Sequence, residues 1–232
     1  MPIKVSIVGI SGNIGKHLEN LLEEKKEFIL AGGISTKNSN NVDFAKICSQ
    51  SDVIVDFSYY QSIEKLLPNA IAHKTPLVIG TTGHSKDQLQ KIMEASKEIP
   101  IFYSSNFSIG IHLVKKLIEM LCSRLPEYSI NLIEWHKLNK QDSPSGTALS
   151  LIKEIQKHTT QEVETTSIRA GNNFCEHSLF FTDDAERLTI KHEICDKKIF
   201  AKAALDAALF ILSKPVGYYE MEDLIGGLTC KQ

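Results

Sequence analysis

The segment that most constrains this chain runs from Ile3 to Val8 and continues at once into Gly9-Ile10-Ser11-Gly12-Asn13-Ile14-Gly15. The apolar run reads as a buried strand, and the spacing of Leu18, Leu21 and Leu22 reads as an amphipathic helix. Strand, glycine turn and helix in that order supply the physical parts of a dinucleotide site. Gly9 makes the tight turn, Gly12 admits a pyrophosphate, and Gly15 lets the helix pack closely. Gly9, Ile10, Ser11, Gly12, Asn13 and Ile14 are therefore candidate cofactor contacts, the alternative being a tight turn that binds nothing.

Further strand-helix units follow. Phe28 to Ile34, Val53 to Phe57, Leu77 to Ile79 and Ile101 to Tyr103 read as strands, with Ile63 to Ala72 and Gln88 to Ser96 as helices between them. Such alternation predicts a parallel sheet, whose ligands bind beyond the carboxyl ends of its strands. That places Asp56-Phe57-Ser58, Gly80, Thr81 and Thr82, and Ser104, Ser105, Asn106 and Phe107 at the cofactor edge, although these are also ordinary turn residues. No acid stands at the end of the second strand to accept hydrogen bonds from a ribose. Ser35, Thr36 and Lys37 stand there instead and tolerate a 2′-phosphate better than a carboxylate does, so NADPH is expected to serve at least as well as NADH. The plainer alternative is that they open a polar loop through Asn41.

From Ile109 the pattern changes to a helix through about Cys122, a strand near Ile130 to Trp135, and a helix running to His158. Thr166 to Arg169, Ser178 to Thr182 and Leu188 to Ile194 alternate as antiparallel strands with one wet face. Ala201 to Leu212 then returns as an Ala-rich helix suited to the first domain. The expected fold is α/β: an N-terminal Rossmann-like parallel sheet with an inserted α+β substrate domain. Residues 1–107, completed by 201–232, form the first domain and 108–200 the second. The tail from Gly226 is expected to be mobile.

The insertion carries His136-Lys137-Leu138-Asn139-Lys140-Gln141-Asp142-Ser143-Pro144-Ser145-Gly146-Thr147-Ala148. Pro144 suits the first turn of a helix, and Leu149, Ile152 and Ile155 continue with helical spacing. The amides of Ser145, Gly146 and Thr147 then lack intrahelical acceptors, and the helix dipole makes the place attractive to an anion. Ser145, Gly146 and Thr147 form the expected cradle, Lys137 adds a cation, and His136 with Lys140 are candidates for proton transfer. Ser-Pro-Ser-Gly-Thr is also an ordinary helix cap.

Composition narrows the partners. A net charge of −2 gives no electrostatic reason to expect nucleic acid or an anionic membrane. No apolar run reaches the roughly 18 residues that span a bilayer, and Met-Pro-Ile-Lys leads straight into strand pattern, so a cytoplasmic protein is expected. The five cysteines form no CxxC pair and the eight histidines are scattered, so their spacing predicts reduced thiols and no metal site.

In combination these motifs resemble the 4-hydroxy-tetrahydrodipicolinate reductase (dihydrodipicolinate reductase) family over nearly the whole chain. The resemblance rests on the glycine turn, Val55-Asp56-Phe57-Ser58, Val78-Ile79-Gly80-Thr81-Thr82-Gly83 and Ser105-Asn106-Phe107-Ser108-Ile109-Gly110. Glu134-Trp135-His136, Lys140, the segment from Asp142 to Ala148, Arg169-Ala170-Gly171 and Glu176-His177 extend it. It implies NADH- or NADPH-dependent reduction of a cyclic dicarboxylate in diaminopimelate and lysine synthesis, by a homotetramer built through the second domain's sheet. By position, His136 and Lys140 match acid/base and proton-donor residues, and Lys137, Ser145, Gly146 and Thr147 match substrate-carboxylate contacts. Lys137 stands where members of that family commonly carry a second histidine, and Trp135 replaces a small residue. The alternatives are a related dehydrogenase acting on an amino-acid-derived imine or semialdehyde, and a non-catalytic dinucleotide sensor.

Overall fold

A computed structural model of the chain describes residues 1–35, 43–172 and 175–228. The chain divides into two compact units, Met1–Ser108 with Lys197–Gln232, and Ile109–Asp196.

In the first unit β1 (Ile3–Val8) is buried from Val5 onward, which demands cover on both faces of its sheet. It lies between β2 (Phe28–Ile34) and β3 (Val53–Asp56), parallel to both, with a register shift against β2 after Val5. Next come β4 (Leu77–Ile79), β5 (Pro100–Tyr103) and finally β10 (Gly217–Tyr219), giving the order β10-β5-β4-β3-β1-β2. Chain order reverses at β1 and β3, the place where such sheets bind ligands.

One sheet face joins Val8, Ile54, Leu77, Ile79 and Ile101 in a single core with α2 (Phe44–Gln50), α3 (Ile63–His73) and α4 (Lys86–Ala95). Alternate residues such as Phe102 face the other side, where α1 (Asn13–Glu24) and α7 (Lys198–Leu212) pack together. Alanines 201, 203, 204, 207 and 208 bury the inner stripe of α7 and permit that close approach. α8 (Met221–Leu228) follows β10. The tail expected to be mobile thus begins as helix at Gly226, and 229–232 lie outside the described residues. The sequence reading also passed over α2 and β10. Both are short, which leaves little periodicity to detect.

The second unit packs α5 (Ile109–Arg124) and α6 (Gly146–Ile155) on a mixed sheet of β6 (Ser129–His136), β7 (Glu164–Arg169), β8 (Cys175–Thr182) and β9 (Arg187–Ile194). Its order is β7-β6-β8-β9. β7 pairs with β6 in parallel, which corrects the expectation that every later strand is antiparallel. Alternation reports which face is buried but not strand direction, and α6 supplies the crossover that a parallel pair needs. Ile118, Leu132, Leu151, Leu179 and Phe181 anchor the core. Along β6 the even-numbered residues from Ile130 point inward, so Glu134 and His136 are buried on the same face as Ile130 and Leu132. No described helix is long and apolar enough to cross a membrane.

Candidate active site

In the first unit the glycine turn is built as a close junction of backbone. Gly9 has φ of +93°, and a Cβ there would strike the carbonyl of Phe57. A Cβ on Gly15 would likewise strike the backbone of Gly9 and Ile10. The amides of Gly9 and Ile10 bond to the carbonyl of Ile34 at 2.8 and 3.1 Å, and that of Gly12 to Gly9 at 2.9 Å, which fixes the loop. Gly12 caps α1 without any side chain to bond the first helical amides. Asn13 and Ile14 therefore begin a helix whose amides and dipole face the exposed side of the turn.

The other strand ends separate into scaffolding and open groups. Thr81 Oγ1 accepts from the Ser58 amide at 2.8 Å, Ser104 Oγ donates to the Asn106 carbonyl at 2.7 Å, and Asn106 Oδ1 accepts from the Ser108 amide at 2.9 Å. Thr81, Ser104 and Phe107 are buried, whereas Ser11, Gly12, Asn13, Thr82 and Ser105 are exposed and Gly80 partly so. Asp56 is fully buried beneath this edge; burial pushes its carboxyl up to about 6, against the opposing bonds from Ser58 and Thr81. At the end of β2, Ser11 and Ser35 share a hydroxyl hydrogen bond of 2.7 Å, while Thr36 and Lys37 lie outside the described residues.

In the second unit the sheet register assembles the site in two rows. Ser167, Glu134, His177 and His192 lie side by side across β7, β6, β8 and β9, and Arg169, His136 and Cys175 form the next row. Glu134, with no exposure at all, is the hub of the first row. It accepts from Ser167 Oγ and Arg169 Nη2, each at 2.7 Å, and from the Ser145 amide at 3.0 Å. Burial pushes its carboxyl up, but these bonds outweigh burial and hold it at about 2, so it stays ionised. His136 Nδ1 lies 3.4 Å from that carboxylate and its Nε2 lies 3.2 Å from Cys175 Sγ. Burial lowers the His136 imidazole below its usual range; Glu134 opposes this, and Lys140 and Arg169 reinforce it. His177 is lowered further, to about 4, by burial and then by His136.

Lys140 leaves the strand on a loop pinned to the β7 end. Ala170 N–H donates to the His136 carbonyl at 3.0 Å, Leu138 N–H to Gly171 at 3.1 Å, and Arg169 Nη2 to the Asp142 carbonyl at 2.5 Å. The Lys140 ammonium meets both oxygens of Asp142 at 2.7 and 2.9 Å. The Gly146 amide bonds the same carboxylate, which lies below the usual range through Lys140 first.

Pro144 precedes the cap of α6, joined to Ser143 by a cis peptide, and does not occupy the first turn. Ser145 is the cap, its Oγ accepting from the Ala148 amide at 3.1 Å and lying 3.2 Å from His177 Nε2. Its amide and hydroxyl are thus committed inside the protein. Gly146, where a Cβ would meet nothing within 4 Å, and half-buried Thr147 form the accessible part of the helix start. Lys137 is exposed on the same loop. His136, Lys140, Ser145, Gly146 and Thr147 are thereby gathered around one helix start. Sequence reasoning gave no role to Glu134, Asp142, Arg169 or Cys175. The only local signals were Glu134 two residues before His136, hence on its face, and Asp142 two residues after Lys140.

Comparison with known proteins places the chain as a whole. The family described as "Dihydrodipicolinate reductase, N-terminus" matches residues 3–107, and "Dihydrodipicolinate reductase, C-terminus" matches 110–225. A 4-hydroxy-tetrahydrodipicolinate reductase of Rickettsia peacockii is 36% identical over 235 residues, spanning 94% of this chain and 98% of its own. One from Caldanaerobacter subterraneus subsp. tengcongensis is 34% identical over 249 residues, spanning 97% and 99%. The solved structure of dipicolinate-bound dihydrodipicolinate reductase from Paenisporosarcina sp. TG-14 has the same fold, with a TM-score of 0.83 at 18% identity over 96% of this chain and 99% of that one. Matched in both halves and along nearly its full length, the chain belongs to the dihydrodipicolinate reductase family.

Proposed function

We propose that this chain reduces 4-hydroxy-tetrahydrodipicolinate (dihydrodipicolinate) to tetrahydrodipicolinate with NADPH or NADH, in diaminopimelate and lysine biosynthesis. The observation that carries the reading is the convergence of Lys140 Nζ and the Gly146 amide on one carboxylate, that of Asp142, at the start of α6. Donors already gathered around a carboxylate are suited to receive one from the substrate, which takes the place of Asp142. Thr147 and Lys137 supply further contacts to a dicarboxylate. Ser145 supports them indirectly by capping the helix.

The glycine turn fits a pyridine dinucleotide, because Gly12 puts no side chain over the helix start and neither Gly9 nor Gly15 has room for a Cβ. Gly9 to Ile14, Gly80 to Thr82 and Ser104 to Phe107 hold it, the buried members by shaping the loops that carry the exposed ones. When bound, the reduced nicotinamide supplies the hydride. The chain's own residues bind the carboxylates, oppose the charge that builds on the ring with the Lys140 ammonium and the dipole of α6, and deliver a proton. We assign that delivery to Lys140 and the acid/base partnership to His136, which burial keeps neutral. The Ser11–Ser35 pair, in place of an acid at the end of β2, supports acceptance of both cofactors. Trp135 and Ile168, paired on the outer face of the second sheet and exposed, support a homotetramer formed through that sheet.

The test is oxidation of NADPH and NADH by the purified chain, with the product of the preceding synthase as substrate. Turnover is expected with both, at an efficiency for NADPH at least equal to that for NADH. No turnover with either refutes the activity, and a strong preference for NADH refutes the cofactor assignment alone.

A further inference from the structure

The register that builds the site also brings together three side chains that sequence spacing keeps apart. Cys175 lies directly opposite His136 on the β6–β8 ladder, and His177 follows two residues later on the same face of β8. One ligand atom from each of His136, Cys175 and His177 lies within 4.8 Å of the other two, the His136 Nε2 to Cys175 Sγ distance being 3.2 Å. Both imidazoles are buried and Cys175 is partly exposed, which leaves an access route from solvent. The ring centroids stand 5.1 Å apart at 76°, so the two imidazoles do not stack against each other.

We propose that His136, Cys175 and His177 form a binding site for a thiophilic divalent cation of the Zn²⁺ class, and that occupancy inhibits the enzyme by taking His136 as a ligand. Two imidazoles and a thiolate are the donor types that Zn²⁺ selects and that Mg²⁺ or Ca²⁺ does not. Zinc–ligand distances of about 2.0–2.3 Å put tetrahedral donors roughly 3.3–3.7 Å apart, so His136 Nε2 and Cys175 Sγ at 3.2 Å already stand near that spacing, and separations of up to 4.8 Å close by roughly an ångström, within the reach of side-chain rotation on a fixed ladder. Three protein ligands leave a fourth position to water. Glu134 completes the arrangement from behind, its ionised carboxylate 3.4 Å from His136 Nδ1 and 3.8 Å from His177 Nε2. A carboxylate behind a ligating imidazole fixes ring orientation and raises ligand basicity. On coordination the thiol proton leaves to solvent and no other bond changes.

The inhibitory half of the proposal rests on the reading of His136 as an acid/base residue, whereas the binding half does not. The full-length chain, freed of metal by a chelator, is titrated with Co²⁺ as a spectroscopic probe and then with Zn²⁺. One equivalent of Co²⁺ is expected to give a thiolate charge-transfer band with the intense visible bands of a tetrahedral ion, all displaced by one equivalent of Zn²⁺. Cys175→Ala is expected to abolish the charge-transfer band and weaken Zn²⁺ binding at least about 10- to 100-fold, the cost already typical of losing a supporting partner. His177→Gln is expected to weaken it comparably, while Cys195→Ser, which removes an exposed thiol elsewhere, leaves band and affinity intact. A band that survives Cys175→Ala, or that vanishes in Cys195→Ser, overturns the site. Stoichiometric, Cys175-dependent binding without loss of turnover leaves the site standing and overturns the role of His136.

Discussion

Under the proposed function Asp142 holds its carboxylate where the substrate's is to bind, so at the scale of single residues it acts as an internal competitor. Its pairing with Lys140 is largely exposed on the aspartate side, and exposed pairs contribute about 0.2–1 kcal/mol. Asp142→Asn is therefore expected to tighten dipicolinate binding roughly two- to fivefold, as read by calorimetric titration. Weaker binding would instead make Asp142 an orienting partner of Lys140. Lys140→Ala is expected to lower kcat by about two to four orders of magnitude with the fold unchanged, by the usual size of general-acid effects. A kcat near normal in steady-state assays excludes Lys140 as the proton donor.

At the scale of elements, the buried ends of β6, β7 and β8 are held by the hydrogen bonds that converge on Glu134. Glu134→Ala strands the Arg169 guanidinium without its carboxylate and is expected to cost about 3–5 kcal/mol in urea unfolding, the range for breaking a buried pair. Glu134→Gln, which keeps an acceptor for Ser145 and Ser167, is expected to cost less; equal losses would show that shape rather than charge matters there. The elements themselves were legible in sequence wherever an apolar run or a helical period marked them. Phe28–Ile34 and Leu77–Ile79 stand where apolar runs put them, and Ser145 ends the strand-to-helix loop as its cap. Direction and register were not legible. Alternation in Thr166 to Arg169 says which face is wet and nothing about whether β7 runs with β6 or against it. For the same reason His136 and Lys140 could be picked out from a local motif, while Cys175, 39 residues beyond His136, becomes its neighbour only through strand pairing.

For the whole molecule, buried groups in the two units respond to acid in opposite senses. In the second unit the buried His177 imidazole falls from 6.5 to about 4 and the Glu134 carboxyl from 4.5 to about 2. In those windows the unfolded chain binds more protons than the folded one, so stability is full above pH 6.5 and is lost as pH falls. The His177 share alone amounts to about 3 kcal/mol between pH 6.5 and 4. Asp56, raised from 3.8 to about 6, works the other way in the first unit, adding stability as pH falls from 6 toward 3.8, while half-buried His84, lowered by burial, opposes it. Trp135 is the chain's one tryptophan and belongs to the second unit. Its fluorescence in urea melts is expected to show a midpoint that drops from pH 6.5 to 4, and His177→Gln is expected to flatten that slope; an unchanged slope rules out His177 as its source. Placing Glu134 against His177 and His136 against Cys175 also makes activity an audit of assembly. A slip of one residue between β6 and β8 turns the displaced strand's share of them outward together with the apolar residues beside it, so a misaligned chain is expected to retain no activity. Activity recovered after refolding therefore counts correctly aligned molecules one by one, with no intermediate grade of enzyme between them and the rest.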